Sequence, residues 1–246
     1  MLATSDKVKY GHSVVFLNGL MYSVFKANGA VSIASYSISE NKWNTTIKFP
    51  GIQNSHNVCA FMGKIYILGS SDKANRHIFI RYDPAKGYRI RADLKEHRMG
   101  AACSAFAGRI FVSGGRGVGR SEKLKTVFSY DDFENKWVRA PDMLQGRSDP
   151  TSVGIRNRLY VFSLHGTTPE MYDVLSNKFQ YVTPPKIRGL FATSPMTIGS
   201  KILFFKLHSL EMMEYDSDMN EWSEVKKINS DVERIHYFSS LKIPSF

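Results

Sequence analysis

The chain has 246 residues, of which 43% are hydrophobic, and its 33 lysines and arginines against 22 aspartates and glutamates give a formal net charge of +11. This length and apolar content suffice to bury a sizeable core in one domain. No apolar run approaches the ~18 residues of a membrane-spanning helix. The first residues also lack the pattern of a secretory signal, so we expect a soluble, cytoplasmic protein.

Short strand patterns separated by turn residues recur along the chain, and no segment shows a helical period. Each copy has an apolar strand followed by a tyrosine and an acidic or polar residue, at Tyr36-Ser37, Tyr82-Asp83, Tyr130-Asp131, Tyr172-Asp173 and Tyr215-Asp216. An aromatic residue follows six or seven positions later, at Trp43, Tyr88, Trp137, Phe179 and Trp222. Because these aromatic residues lie 45, 49, 42 and 43 positions apart, one supersecondary unit is repeated five times.

In chain order, the copies cover about 10–50, 54–96, 98–143, 147–186 and 188–228. The third copy is the most complete, because its second strand pattern ends on the pair Gly114 and Gly115. After the fifth copy, 234–243 has the pattern of one more first strand, without the strands that would complete its unit.

The glycine pair, the Tyr-Asp step and the spaced tryptophan together resemble the kelch repeat over nearly the whole chain. The resemblance implies an all-β fold, a kelch-type β-propeller in which each copy is a four-stranded blade packed between neighbours. It also implies structural roles for the repeat positions, which are Gly114, Gly115, Tyr82, Asp83, Tyr130, Asp131, Trp137, Tyr172, Asp173, Tyr215, Asp216, Trp222 and Trp43. Tyr88 and Phe179 replace the tryptophan in two copies.

Five blades and a stray strand leave two arrangements open, a closed five-bladed ring or about five-sixths of a six-bladed ring. We favour the incomplete six-bladed ring, because blade twist sets the ring size. Its open blade edge would favour self-association. The first four residues resemble the end of a preceding repeat, so the chain is expected to begin inside a longer ancestor.

The search for catalytic or metal-binding patterns is negative. The seven histidines show no spacing typical of metal ligands, and the glycines at 114–119 do not precede a helix that would receive a phosphate. Cys59 and Cys103 occupy first strands of neighbouring copies, and we expect two buried thiols in a reducing compartment, with a disulfide as the alternative. We therefore expect no enzyme activity, no metal and no cofactor.

Basic residues recur at two kinds of position. Lys9, Arg98, Arg147 and Arg188 precede first strands, whereas Arg76, Arg116 and Arg120 lie in loops between second and third strands. The kelch resemblance implies that these positions converge on one face around the central channel, which holds a peptide of a partner. Arginine binds carboxylates through two hydrogen bonds, so we predict an acidic or phosphorylated peptide. A solvated basic surface and nonspecific polyanion binding are the alternatives.

The resemblance to BTB-kelch proteins implies a substrate receptor for a cullin-based ubiquitin ligase, in which a separate BTB and BACK region holds the cullin. The five copies leave no room for that region within the 246 residues. The alternatives are therefore a fragment of such an adaptor or a bare propeller, for instance an actin-associated scaffold. A propeller enzyme is the more distant alternative.

Overall fold

The computed structural model describes residues 13–44, 47–49, 51–52, 54–70, 77–117, 122–163, 167–186, 195–205 and 212–225. These residues form 21 strands and no helix, so the prediction of an all-β fold is confirmed. None of the described segments contains a helix that could cross a membrane.

The strands form five antiparallel sheets, one for each predicted copy, and each sheet follows the chain order. Blade one contains β1 Ser13–Leu17, β2 Leu20–Ala27, β3 Ala30–Ser37 and β4 Lys42–Trp43, and β5 Ile47–Phe49 also pairs with β3. Blade two contains β6 Asn54–Phe61, β7 Lys64–Ser70, β8 His77–Asp83 and β9 Gly87–Ile90. Blade three contains β10 Ala102–Phe106, β11 Arg109–Ser113, β12 Val127–Asp131 and β13 Lys136–Ala140.

The last two blades follow the same order. Blade four contains β14 Pro150–Ile155, β15 Arg158–Ser163, β16 Glu170–Asp173 and β17 Lys178–Tyr181. Blade five contains β18 Met196–Ile198, β19 Lys201–Phe205, β20 Met212–Asp216 and β21 Glu221–Val225. The five four-stranded blades of a propeller are thus confirmed. The tail at 234–243 and the first four residues lie outside the described residues, so the incomplete six-bladed ring and self-association through its edge stay predictions.

The hydrophobic core lies between the blades. In β7, Ile65, Tyr66, Ile67 and Leu68 are all fully buried, because the strand is covered by a neighbouring blade on each face. Burying one such side chain contributes about 1.5–3 kcal/mol before the lost chain entropy is counted. Four apolar clusters join consecutive blades and include Val24 with Ile67, Leu68 with Val112, Phe111 with Val161, and Phe162 with Phe204. A single blade therefore has no core of its own.

The Tyr-Asp step builds the hairpin between the third and fourth strands. In blade three, the Tyr130 hydroxyl donates a hydrogen bond of 2.8 Å to Oδ1 of Asn135, which adopts a left-handed conformation with a φ of 52°. Oδ1 of Asp131 accepts the backbone N–H groups of Phe133 and Glu134, each at 3.0 Å. The same bonds recur in blades four and five. The repeated dipeptide is therefore a turn-forming device.

The spaced tryptophan ties one blade to the blade before it. Nε1 of Trp137 donates a hydrogen bond of 2.8 Å to the carbonyl of Ala92, whose N–H donates one of 2.9 Å to Oδ1 of Asn135. We call this pair of bonds the blade latch. A second latch joins blades four and five through Trp222, Asn220 and Thr183. Trp137 and Trp222 are half-buried, so the rings pack against the blades while their N–H groups fix the link.

The junction of blades three and four has neither bond of the latch. Pro141 lies four positions after Trp137, as Ala92 lies four positions after Tyr88, and a proline has no N–H to donate. The receiving blade carries Phe179, whose ring also has no N–H group. Both partners of the latch are therefore replaced together at this junction, by Pro141 and Phe179. Apolar packing between Phe111, Val161 and Tyr172 stabilises the junction instead.

The aspartates of the hairpins should make the fold sensitive to acid. Backbone N–H groups of Ser176 and Leu175 hold the pKa of Asp173 below its ordinary value, and those of Asp218 and Met219 do the same for Asp216. Because the pKa of each carboxyl is lower in the folded state than in the unfolded state, where it is about 3.9, the ionised carboxylate stabilises the fold at pH values above that unfolded-state pKa. This contribution is lost as the pH falls through the pKa of the folded state.

We expect the free energy of unfolding of the wild type, measured by urea denaturation, to fall progressively below about pH 4. A variant with both Asp173→Asn and Asp216→Asn keeps the hydrogen-bond acceptors but does not titrate, so it should lose less stability between neutral and acidic pH. Equal losses in the two proteins would remove these carboxylates from the acid response.

Candidate partner-binding face

The long loop of blade three joins the two neighbouring inter-blade links into one surface. Arg116 and Met99 exchange both of their backbone hydrogen bonds, at 2.8 and 2.9 Å, and Arg147 donates its N–H to the carbonyl of Leu124 at 2.9 Å. We call this surface the loop face and define it by residues 96–101, 114–117, 122–126 and 141–149, with Arg139 beside them. Around blade three, the loop between the second and third strands therefore contacts the segments that precede two first strands.

The glycine pair allows this close approach. Gly114 and Gly115 have φ angles of 64° and 102°, which side chains rarely adopt. A Cβ on Gly115 would lie 2.8 Å from the Met99 carbonyl oxygen, and one on Gly114 would lie 2.9 Å from the Arg147 carbonyl oxygen. The pair therefore lets the loop touch the link on each side of its blade.

Arg98 does not reach the surface of the loop face. Its guanidinium is fully buried and donates hydrogen bonds of 3.1 Å to the carbonyls of Gly114 and Thr126. It also forms an ion pair with Glu96 and lies 5.0 Å from the centre of the Phe128 ring. Burial lowers the pKa of Arg98, against the opposing effect of the Glu96 carboxylate. This arginine therefore links the segment before the first strand to the residue after the second strand and to the residue before the third strand.

Arg147 has the same role in blade four. Its guanidinium donates to the Thr168 carbonyl, which matches Thr126 in blade three, and lies 2.7 Å from Oε1 of Glu170. Both side chains of this ion pair have 0% exposure. The Glu170 carboxylate also accepts hydrogen bonds from the backbone N–H groups of Leu144 and Gln145, at 2.6 and 3.0 Å. The pair therefore fixes the link between blades three and four from inside.

The predicted arc of exposed arginines is corrected at these two positions. Arg98 and Arg147 cannot meet a partner in this structure, because neighbouring carbonyls and carboxylates surround their guanidinium groups. Arg116 is exposed on the loop face, as predicted for a partner-binding residue, but its binding role stays a prediction. The other predicted partner-binding residues lie outside the described residues, namely Lys9, Arg76, Arg120 and Arg188.

Other basic side chains on the loop face are exposed. Nη2 of Arg116 lies 2.6 Å from Asp149, with the two side chains 44% and 41% exposed. Arg139, which is 59% exposed, binds Asp142 at 2.9 Å. Lys123 and Lys125 are also exposed, and Lys125 lies 3.8 Å from the same Asp142. The apolar side chains of Met99 and Leu144 are exposed as well. The face thus combines cations, replaceable ion pairs and apolar contact area.

Sequence reasoning missed Arg139 and Glu170. Arg139 lies in an outer strand and not in a loop, so the search along loops passed over it. Glu170 occupies the place two residues before the repeat tyrosine, where the other copies carry the apolar residues Ala34, Ile80, Phe128 and Met213. A single carboxylate in an otherwise apolar repeat position indicates a buried ion pair, and this pattern was available in the sequence.

The first strands of the blades line a central channel with a cavity of about 60 Å³. The lining comes from all five blades and consists of Val15, Phe16, Val58, Cys59, Ala60, Cys103, Ser104, Ala105, Ser152, Val153 and Pro195. Within the described segments, no group of three or more His, Cys, Asp or Glu residues is placed to hold a metal ion. Most of the residues that line the channel are apolar.

Comparison with known proteins agrees with this architecture. Residues 97–144 match the family model described as the kelch motif. Human Kelch repeat and BTB domain-containing protein 8 is 27% identical over 55% of this chain, and the alignment covers 23% of that protein. Kelch-like protein 25 of Xenopus tropicalis is 28% identical, over 65% of this chain and 30% of that protein. Kelch repeat and BTB domain-containing protein 2 of ectromelia virus is 22% identical, over 61% and 22%.

The chain spans less than a third of the length of these relatives. The matched motif coincides with blade three, which carries the glycine pair, a blade latch and the exposed part of the loop face.

Proposed function

We propose that the chain, a kelch-repeat β-propeller similar to the propeller region of BTB-kelch proteins, is a protein-interaction module that binds an acidic segment of a partner through its loop face. The observation that carries this proposal is that four cations on the loop face, Arg116, Lys123, Lys125 and Arg139, are exposed together with the apolar side chain of Met99. We propose a non-enzymatic role in the cytoplasm.

The exposed ion pairs make the face adaptable. Surface ion pairs contribute only about 0–1 kcal/mol each, because water and salt screen them. Arg116 and Arg139 can therefore exchange Asp149 and Asp142 for carboxylates of a partner at little cost. Met99 and Leu144 add apolar area beside them, whereas the buried Arg98 and Arg147 keep the loops in place. The net charge of +11 also accelerates the encounter with acidic partners.

A four-residue replacement tests the face. The loop-face variant changes Arg116, Arg139, Lys123 and Lys125 to alanine. We expect it to bind a fluorescent glutamate-rich peptide about tenfold more weakly or worse, since four exposed contacts are lost. Binding is measured by fluorescence anisotropy over a salt series, and the wild-type affinity should fall as the salt concentration rises.

The control variant removes the same number of positive charges from the opposite end of the blades. It changes the ion-paired Arg109 and Arg156 and the exposed Lys136 and Lys178 to alanine. The two variants have the same net charge, so a general charge effect would weaken both equally. Equal weakening, or binding of the glutamine counterpart of the peptide as tightly as the glutamate peptide, would reject the loop face as the acidic binding site.

We further propose that the propeller is the substrate-recognition part of a BTB-kelch type adaptor for a cullin-based ubiquitin ligase. Its support is the similarity to kelch-like proteins and to relatives whose names include a BTB domain. The alternative is a kelch scaffold such as an actin-associated protein. Sedimentation with filamentous actin distinguishes the two proposals. The scaffold would be favoured if the wild-type chain sediments with actin and the loop-face variant stays in the supernatant.

A further inference from the structure

Two thiols from neighbouring blades meet at the central channel. Cys59 lies in β6 of blade two and Cys103 in β10 of blade three, and their sulfur atoms are 3.2 Å apart. Both side chains line the channel cavity. Neither forms a disulfide, and Cys59 is 7% exposed, whereas Cys103 is more exposed.

The surrounding strands hold the two thiols facing each other. Cys59 pairs with Tyr66 in one sheet, and Cys103 pairs with Val112 in the next. Both thiols belong to the apolar cluster that joins these blades. The sulfur atoms in a disulfide are about 2 Å apart, so the two sulfur atoms, now 3.2 Å apart, need to approach by only about 1 Å to form the bond.

We propose that Cys59 and Cys103 form a redox modification site, which a small soluble disulfide such as oxidised glutathione converts to a disulfide between blades two and three. The thiolate of the more exposed Cys103 attacks a sulfur of oxidised glutathione, and one glutathione leaves as its thiol. The thiolate of Cys59 then attacks the Cys103 sulfur and displaces the second glutathione. In total, two electrons and two protons pass from the protein to oxidised glutathione.

The link has a defined effect on the fold. The two cysteines are 44 positions apart in the chain, so the disulfide closes a long loop and restricts the unfolded chain. The oxidised protein should therefore melt several degrees higher than the reduced protein. Reduced glutathione in excess should reverse the change.

Intact mass spectrometry of the native chain with oxidised glutathione provides the test. The wild type should lose the mass of two hydrogens without retaining glutathione, and digestion should give one cross-linked peptide pair containing Cys59 and Cys103. Cys59→Ser lacks the second thiol, so it should retain one glutathione on Cys103. Cys103→Ser should react much more slowly, because its remaining thiol is nearly buried.

Two results would overturn the proposal. The first is a wild type that retains glutathione on Cys103 without forming the cross-link. The second is a native wild type that stays unmodified under conditions in which the same chain in urea becomes cross-linked. The melting temperature of the oxidised wild type, set against that of both serine variants under the same treatment, separates the disulfide from any general effect of glutathione.

Discussion

Replacing Glu170 by alanine is expected to lower the free energy of unfolding by about 3–5 kcal/mol. Glu170 and Arg147 are fully buried and 2.7 Å apart, so the replacement leaves an unpaired charge inside the protein. The backbone N–H groups of Leu144 and Gln145 lose their acceptor as well. Because a domain is stable by only about 5–15 kcal/mol, urea unfolding should show a large shift of the midpoint.

An exposed ion pair of the same type is the matched control. Arg156 and Asp218 are 70% and 45% exposed at a distance of 2.8 Å, so Asp218→Ala should cost less than about 1 kcal/mol. The double replacement Arg147→Met and Glu170→Leu removes both buried charges and should recover much of the lost stability. A loss for Glu170→Ala no larger than that for Asp218→Ala would show that the buried pair does not hold the link between blades.

Replacing Trp137 by alanine is expected to cost about 3 kcal/mol or more. The indole packs against Phe79 and Tyr130, with ring centres 4.9 Å away in both cases, and its N–H closes the blade latch to Ala92. Trp137→Phe keeps most of the packing and removes only the donor, so it should cost about 1 kcal/mol. Thermal unfolding followed by circular dichroism measures both changes.

The neighbouring Val138 supplies the control for this position. Val138 is 43% exposed, so Val138→Ala should change stability by less than about 0.5 kcal/mol. If Trp137→Ala costs as little as Val138→Ala, the tryptophan has no structural role between blades two and three. If Trp137→Phe costs as much as Trp137→Ala, the latch bond outweighs the packing of the ring.

The fold was predictable because every copy carries its own turn chemistry. Tyr130, Asp131 and Asn135 form the outer hairpin through bonds within six residues of chain, so a short sequence pattern reports the structure directly. The aromatic spacing likewise reflects contacts between successive blades, such as that of Trp137 with Ala92. Local and nearest-neighbour contacts of this kind repeat with the chain and are therefore visible as a period.

The burial of the arginines was not predictable from the same period. Arg98 and Arg147 occupy equivalent places, but their carboxylate partners do not: Glu96 lies two residues before Arg98, whereas Glu170 lies in a third strand. No repeated spacing in the sequence therefore indicates these two ion pairs. A recurring arginine between blades is equally compatible with a binding rim and with a buried ion pair, so the repeat alone does not distinguish them. The one signal in the sequence is Glu170, which occupies a repeat position that is apolar in the other copies.

Hydrogen exchange of the chain with and without the glutamate-rich peptide tests the loop face most directly, because it locates the bound surface without any substitution. At saturating peptide, we predict slower exchange at 114–117, 122–126 and 141–149, and unchanged exchange in the turns at 107–108 and 132–135 on the opposite end of blade three. Slower exchange confined to those turns, or unchanged exchange throughout while anisotropy shows the peptide bound, would contradict an acidic binding site on the loop face.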